Sequence, residues 1–149
     1  MSDVDIQATV MQLAVLRTNP RYHEIMSALH RSSAQAIAPM GKDKNSVEYG
    51  NIRMVVGIWE QIAQTILSLS HSDRHKIFKC TPVSLMWKLL WPAIEQIRTG
   101  GADYGSGTPS PEYAKNFEHL DDEYHHWTQS PDGREYRSAA SQAVCARFG

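Results

Sequence analysis

The chain has 149 residues, two cysteines and a formal charge of −1, with 15 basic and 16 acidic side chains. This length fits one domain whose core needs no disulfide or structural metal. The charge balance supplies no global field for specific nucleic-acid binding, and so few cysteines favour reduced thiols in a cytosolic protein. Asp3 and Asp5 stand where a signal peptide is positive, and no apolar run approaches the about 20 residues of a membrane span. We therefore expect a cytoplasmic protein with no membrane partner and no cofactor.

Apolar residues recur with helical spacing along the chain, and no segment alternates with period two. The spacing predicts a first helix from about residue 4 to 16. Asn19-Pro20 starts a second helix that ends near Pro39-Met40-Gly41, and the third helix, followed from Ile52, is the most regular. The predicted inward-facing residues of these three helices are Ile6, Val10, Leu13, Ala14, Tyr22, Ile25, Met26, Leu29, Ile37, Ile52, Val55, Trp59, Ile62, Ile66 and Leu69.

The capping residues between Ser70 and Asp73 predict a short helical turn. Thr81-Pro82 then opens a fourth long helix, in which we expect a kink at Pro92 because proline removes one helical hydrogen bond. Four glycines and two prolines in residues 100–111 predict a mobile loop. The predicted inward-facing residues of the fourth helix are Leu85, Met86, Leu89, Leu90, Ile94 and Ile97.

The C-terminal third contains two further predicted helices. Ser110-Pro111 starts the fifth helix, Ser130-Pro131-Asp132-Gly133 predicts a turn, and the tail from Arg134 to Phe148 is predicted to be helical. The inward-facing residues predicted here are Tyr113, Phe117, Leu120, Tyr124, Trp127, Tyr136, Ala140 and Val144. The sequence as a whole predicts a single all-α domain over residues 1–149, built as a bundle of five or six helices.

The stretch HLDDEYHHW at residues 119–127 is rich in metal-ligating residue types. His119, Asp122 and His126 share one helical face with Glu123 close by, which is a reasonable set for a first-row metal. That face lies opposite the apolar stripe, and one exposed helix seldom completes a coordination shell. We interpret it as a solvated, charge-paired face. A metal-assisted hydrolase that uses these four residues is the alternative.

A second histidine pair, His71 and His75, has the i, i+4 spacing of zinc-binding helices. Ser72 stands where the catalytic glutamate of that motif would follow, so we interpret the pair as part of a capped helix start. A meeting of the two histidine groups in space would strengthen the metal hypothesis. Cys80 and Cys145 come with no identified base, and we interpret them as packing residues.

The charged residues suggest a binding surface. Residues 71–79 are basic, whereas residues 112–123 carry five acidic side chains against Lys115. Glu60 and Arg98 lie beside the apolar faces of the third and fourth helices, and long side chains at such edges bring their charged ends together. We therefore predict that they approach within the range of a salt bridge or of one bridging water. The candidate partner-binding residues are Arg74, His75, Lys76, Lys79, Glu60 and Arg98.

The block IRMVVGIWEQIAQTILSL, a short basic turn and SLMWKLLWPAIEQIR carry a family resemblance. Together they resemble the bacterial domain of unknown function 4760 over residues 46 to about 127. The resemblance implies a helical domain and supplies no catalytic residues. Many members carry transmembrane helices ahead of the domain, which we do not expect for this chain. The matching residues are Trp59, Glu60, Ile62 and Ala63, then Trp87 or Trp91, Pro92, Ile94 and Arg98.

Binding is favoured over catalysis, because each catalytic constellation lacks one requirement. We expect a non-catalytic helical protein-interaction module whose partner is a protein. Small soluble regulators and inhibitors made by bacteria, phages and other mobile elements are built this way. The sequence is also compatible with a homo-oligomer.

Overall fold

The computed structural model describes residues 8–9, 11–13, 18–79, 81–100 and 109–137. These residues form helices joined by turns and contain no strand, which confirms the all-α class. Residues 8–9, 11–13 and 131–137 are helical. The described residues together contain more helical segments than the five or six predicted. The remaining helices are α1 (Pro20–His30), α2 (Ala34–Ile37), α3 (Val47–Leu67), α4 (His71–Phe78), α5 (Val83–Thr99) and α6 (Lys115–Gln129), with a 3-10 turn at Ala38–Gly41.

Serine side chains set several helix boundaries. Ser33 Oγ accepts the amide of Ala36 and starts α2, while Ser32 Oγ donates to the carbonyl oxygen of Ala28. These side chains compete with the helical hydrogen bonds of the backbone. The prediction of one helix from Pro20 to about Pro39 was therefore wrong. The first helix ends at His30, and a second one begins at Ala34.

The predicted turn at residues 130–133 is also wrong. Ser130 Oγ accepts the amide of Gly133 at 3.2 Å, so Ser130 caps a helix whose first residue is Pro131. A Cβ atom on Gly133 would lie 1.9 Å from the carbonyl oxygen of Trp127. Glycine at this position allows the last described helix to turn back closely against the end of α6.

The core forms around α3, which contacts α1, α4, α5, α6 and the 3-10 turn. Leu85, which was predicted to face inward, is instead 58% exposed, because Val83 and Met86 take the inward positions of the first turn of α5. The inward face predicted for α3 and the residues after it is confirmed by the burial of Ile52, Val55, Trp59, Ile62, Ile66 and Leu69.

The middle of α5 packs against the 3-10 turn. α5 continues through Pro92 without dividing into two helices. At the next residue, Ala93, the backbone of α5 approaches Gly41 closely. A Cβ atom added to Gly41 would lie 2.3 Å from the Ala93 carbonyl oxygen. The lack of a side chain at Gly41 therefore sets how closely these two elements approach.

A row of aromatic rings joins four helices. Trp59 of α3 donates its Nε1 proton to the Tyr22 hydroxyl of α1 at 3.0 Å. Its ring stacks on Phe117 of α6 with a centroid distance of 5.3 Å, and Phe117 meets the Trp87 ring of α5 edge-on at 5.0 Å. Trp59 is thus the central member of the core.

Replacement of Trp59 by alanine is expected to lower the free energy of unfolding by about 3–5 kcal/mol, the range for loss of a buried aromatic residue. The matched variant His126→Ala removes an exposed side chain and should change it by less than about 0.5 kcal/mol. Urea denaturation followed by far-UV circular dichroism measures both values. Equal midpoints for the two variants would contradict this assignment of buried and exposed faces.

Candidate functional site

The first turn of α6 is capped by a side chain of α3. Ala114, which precedes α6, has a φ of 63° and no side chain that could accept the free amides. Glu60 supplies the acceptors instead: Oε1 accepts the Phe117 amide at 2.8 Å and Oε2 accepts from Asn116 Nδ2 at 3.1 Å. The carboxylate also faces the positive end of the helix dipole. Glu60 therefore positions α6.

Arg98 binds the same end of α6 from the other side. Its Nη1 donates to Glu118 Oε2 at 2.6 Å, and its Nε donates to the Tyr113 carbonyl oxygen at 2.8 Å. Its guanidinium carbon lies 5.8 and 5.5 Å from the ring centroids of Trp87 and Trp91. The hydrogen bond from Arg98 holds the pKa of the Glu118 carboxyl below its usual range.

Of the predicted approach between Glu60 and Arg98, the direct salt bridge does not form, whereas an approach within the range of one bridging water stays a prediction. Both side chains are charged and lie beside the core, as expected, but each one binds α6 and the turn before it. The reason is that the start of α6 offers free amides to the carboxylate and Glu118 to the guanidinium, and these partners take the place of the direct pair.

Arg74 forms the third tie to α6. Its Nη1 donates to both carboxylate oxygens of Glu123 at 2.7 and 2.8 Å, and its Nε donates to the Leu69 carbonyl oxygen at 2.9 Å. Its Nη2 donates to the carbonyl oxygen of Leu67 at the end of α3. The Arg74 side chain is only 15% exposed. Arg74 thus joins three helices, and the structure does not place it on an open binding surface.

The predicted metal face separates into two parts. His119, Asp122 and His126 are exposed, as expected, whereas Glu123 turns toward Arg74. The His126 Nδ1 atom lies 2.8 Å from the Asp122 carbonyl oxygen, and His119 Nε2 lies 3.5 Å from Glu123 Oε1. These contacts match the charge-paired helical face that the sequence suggested.

The pair His71 and His75 shares a cleft with one histidine of the α6 group, His126. His71 and His75 of α4 line a cleft of about 360 Å³ together with Glu123 and His126 of α6. Within residues 8–9, 11–13, 18–79, 81–100 and 109–137, however, no three His, Cys, Asp or Glu side chains are arranged to hold a metal ion. The three histidines line one cleft without forming a coordination shell.

A second cleft adjoins the first, and His75 and Trp127 line both. It has a volume of about 430 Å³. The Lys76 side chain is 55% exposed, and Lys79 Nζ lies 5.9 Å from the centroid of the Tyr136 ring. Three of the candidate partner-binding residues, His75, Lys76 and Lys79, therefore line the same cleft. We call the lining of the two clefts the α4–α6 surface. It consists of His71, Ser72, His75, Lys76, Phe78, Lys79, Glu123, His126, Trp127, Ser130 and Asp132.

Sequence reasoning missed a Ser, His and Asp cluster between α5 and α6. Ser84 Oγ donates to Asp121 Oδ1 at 2.7 Å and lies 3.5 Å from His125 Nε2. Asp121 Oδ2 lies 3.6 Å from the same Nε2 atom. A catalytic triad needs the serine and the carboxylate on opposite imidazole nitrogens. The cluster is therefore a helix contact, and its only sequence signal was the i, i+4 spacing of Asp121 and His125.

Burial raises the pKa values of several side chains in this region. Burial raises the pKa of the Asp121 carboxyl, and the hydrogen bond from Ser84 opposes that effect without cancelling it. Burial likewise raises the pKa of Tyr113 to about 12, and its hydroxyl has no hydrogen-bond partner among the described residues. Both shifts follow from the burial of residues in α6 and in the turn before it.

Comparisons with known proteins return no family model, no curated protein and no solved structure that matches the chain. The class defined by the fold and the site is thus an all-α helical protein whose α6 is held by charged side chains of three other helices. None of its described helices has the length and apolar character that a membrane crossing requires. The resemblance to the domain of unknown function 4760 stays a prediction.

Double-mutant cycles test the assignment of ion pairs. The cycle of Arg98→Met with Glu118→Gln should give a coupling energy of about 0.5–3 kcal/mol, because these side chains are in direct contact. The cycle of Arg98→Met with Glu60→Gln should give the smaller coupling energy, because these two side chains make no direct contact and are coupled only through the start of α6. Urea denaturation of the single and double variants supplies the values. A larger coupling for the second cycle would restore the bridge between Glu60 and Arg98.

The raised pKa of Asp121 predicts how Asp121→Asn responds to pH. The folded carboxyl ionises above its usual value near 3.8, so the unfolded chain loses this proton first as the pH rises. The wild type should therefore lose stability relative to the variant as the pH rises from the usual carboxyl pKa to the raised folded pKa, above which the difference levels off. Denaturation at several pH values measures it, with the exposed neighbour variant Asp122→Asn as control. A difference that shrinks with rising pH would show that the Ser84 hydrogen bond outweighs burial.

Proposed function

We propose that this chain is a non-catalytic helical module that binds a protein partner through the α4–α6 surface. The observation that carries the proposal is the division of the charged residues between two roles. Glu60, Arg74, Arg98 and Glu123 hold helices together, whereas Lys76 and Lys79 are exposed beside two adjoining clefts. A surface of this kind suits recognition of a chain rather than conversion of a substrate.

The size and lining of the surface support protein binding. The two clefts, at about 360 and 430 Å³, lie near the lower end of the volumes of ligand pockets and are large enough to receive one side chain of a partner. Between them lies an aromatic wall in which Trp127 contacts the rings of Phe78, Tyr124 and Tyr136. Buried aromatic walls with charged rims are the usual anchors of protein interfaces.

We further propose that this protein is a small soluble regulator or inhibitor of bacterial or phage origin that acts in the cytoplasm. The proposed relation to the domain of unknown function 4760 fits this structure in one respect. Its two charged positions, Glu60 and Arg98, both anchor α6, so the motif describes packing rather than catalysis.

A metal-assisted hydrolase is the second candidate. The observation that favours it is the shared cleft of His71, His75 and His126. Glu123, the carboxylate at that cleft, is held by Arg74 at 2.7 and 2.8 Å, so a metal would compete with this ion pair and require the carboxylate to rearrange. Protein binding needs no such rearrangement and is the better supported function.

The test is selection of peptides from a random twelve-residue display library on the immobilised chain. The variant Ser72→Trp places a large ring at the exposed rim of the second cleft and leaves the charge unchanged. We expect the wild type to enrich peptides that the variant binds at least tenfold more weakly.

The matched control is Gln61→Trp, an exposed residue of α3 that lines neither cleft. It should bind the selected peptides like the wild type. The proposed function would be rejected by a selection that enriches no peptide, or by peptides that bind wild type and Ser72→Trp equally.

A further inference from the structure

We propose that a small pocket at the end of α5 binds a tetrahedral oxyanion, either free phosphate or the phosphoryl group of a small phosphate ester. Lys42 and Lys44, which follow the 3-10 turn, and Arg53 of α3 line this pocket together with the hydroxyl residues Tyr49 and Ser110. The pocket shares no lining residue with the α4–α6 surface. It is therefore a second site, separate from the proposed partner surface.

The lining of the pocket carries an excess of positive charge. Its described residues include three basic side chains and no acidic one. The described acidic residues close along the chain to this lining, Asp43, Glu48, Glu95 and Glu112, are exposed and do not line it. Asp43 Oδ1 accepts the amide proton of Asn45 at 3.0 Å. A pocket lined by charges of one sign raises the local concentration of ions of the opposite sign.

Two of these cations have free donors. Lys44 and Arg53 form no ion pair and no side-chain hydrogen bond with the residues that the structure describes. The Arg53 guanidinium carbon lies 4.9 Å from the Tyr113 ring centroid and 6.0 Å from the Tyr49 ring centroid. The two rings hold the guanidinium in place without using its N–H groups as hydrogen-bond donors. These N–H groups are thus available to bind two oxygens of one anion.

The helix ends at the pocket do not neutralise these cations. α5 ends beside Gly100, and the negative end of its dipole corresponds to about half an elementary charge. Tyr49 lies in the first turn of α3, whose positive end contributes about the same charge with the opposite sign. Because the two contributions oppose each other, the charge of the basic side chains dominates the pocket.

The volume of the pocket limits the size of the ligand. At about 100 Å³ it is much smaller than the two clefts of the α4–α6 surface. Pockets for whole drug-sized ligands measure about 300–1,000 Å³, so this one admits a small ion or a terminal group. A phosphoryl group carries a charge of about −1.5 to −2 and several acceptor oxygens. It therefore suits several cations and two hydroxyl groups better than a singly charged carboxylate does.

The test is a titration of the ¹⁵N-labelled chain with sodium phosphate at neutral pH, followed by ¹H–¹⁵N correlation spectra at constant ionic strength. We expect saturable shifts of the Tyr49, Gly100 and Ser110 amides. Lys44→Gln and Arg53→Gln should each raise the dissociation constant at least about tenfold, because each removes a charge-assisted hydrogen bond. The matched control Lys76→Gln removes the same charge from the α4–α6 surface and should bind phosphate like the wild type.

The same spectra show whether each variant is folded, and Lys44, an exposed residue outside the helices, carries the test if Arg53→Gln unfolds. A parallel titration with glycerol 3-phosphate distinguishes the sources of the ligand. Tighter binding of phosphate assigns the free ion, and equal or tighter binding of the ester assigns a phosphoryl group.

Two results would overturn the phosphate site. One is a set of shifts no larger than those caused by sodium chloride at the same ionic strength. The other is an equal loss of phosphate binding in Lys44→Gln and Lys76→Gln. Neither result affects the proposed function, because the peptide selection tests a surface that shares no residue with this pocket.

Discussion

The placement of α6 on α3 is the constraint on which the rest of the structure depends. Two adjacent residues of α3 hold one residue of α6: Glu60 accepts the amide proton of Phe117, and Trp59 stacks on its ring. The residue before α6, Ala114, adopts the left-handed conformation, which costs a non-glycine residue about 1–2 kcal/mol. The cap from Glu60 and the burial of Phe117 together offset that strain.

Once its start is fixed, α6 presents successive polar residues to different neighbours. Glu118 meets Arg98 of α5, Asp121 meets Ser84 near the start of α5, and Glu123 meets Arg74 of α4. Loss of one member of such a pair leaves the other partly buried and unpaired, which destabilises the fold. The acidic stretch of the sequence is therefore a series of helix contacts, and its chemistry is mostly structural.

These contacts also shape the surface through which we propose that a partner binds. Arg74 turns inward, whereas His75, Lys76 and Lys79 of the same basic stretch line the surface next to the Trp127 ring. The close approach of Gly133 to the Trp127 carbonyl oxygen brings Asp132 and Tyr136 to the edge of the same wall. The clefts thus arise from the way the last described helix returns against α6.

The sequence by itself determined the helical class, the inward face of α3 and the exposed face around His119 and His126, because apolar spacing repeats with every helical turn. It did not determine the ion pairs or the cap that Glu60 forms on α6. Arg98 and Glu118 are 20 residues apart, Arg74 and Glu123 are 49 apart, and Glu60 and Phe117 are 57 apart. Only the tertiary structure decided these partners, because a long charged side chain can reach several neighbours and the packing of the helices selects one of them.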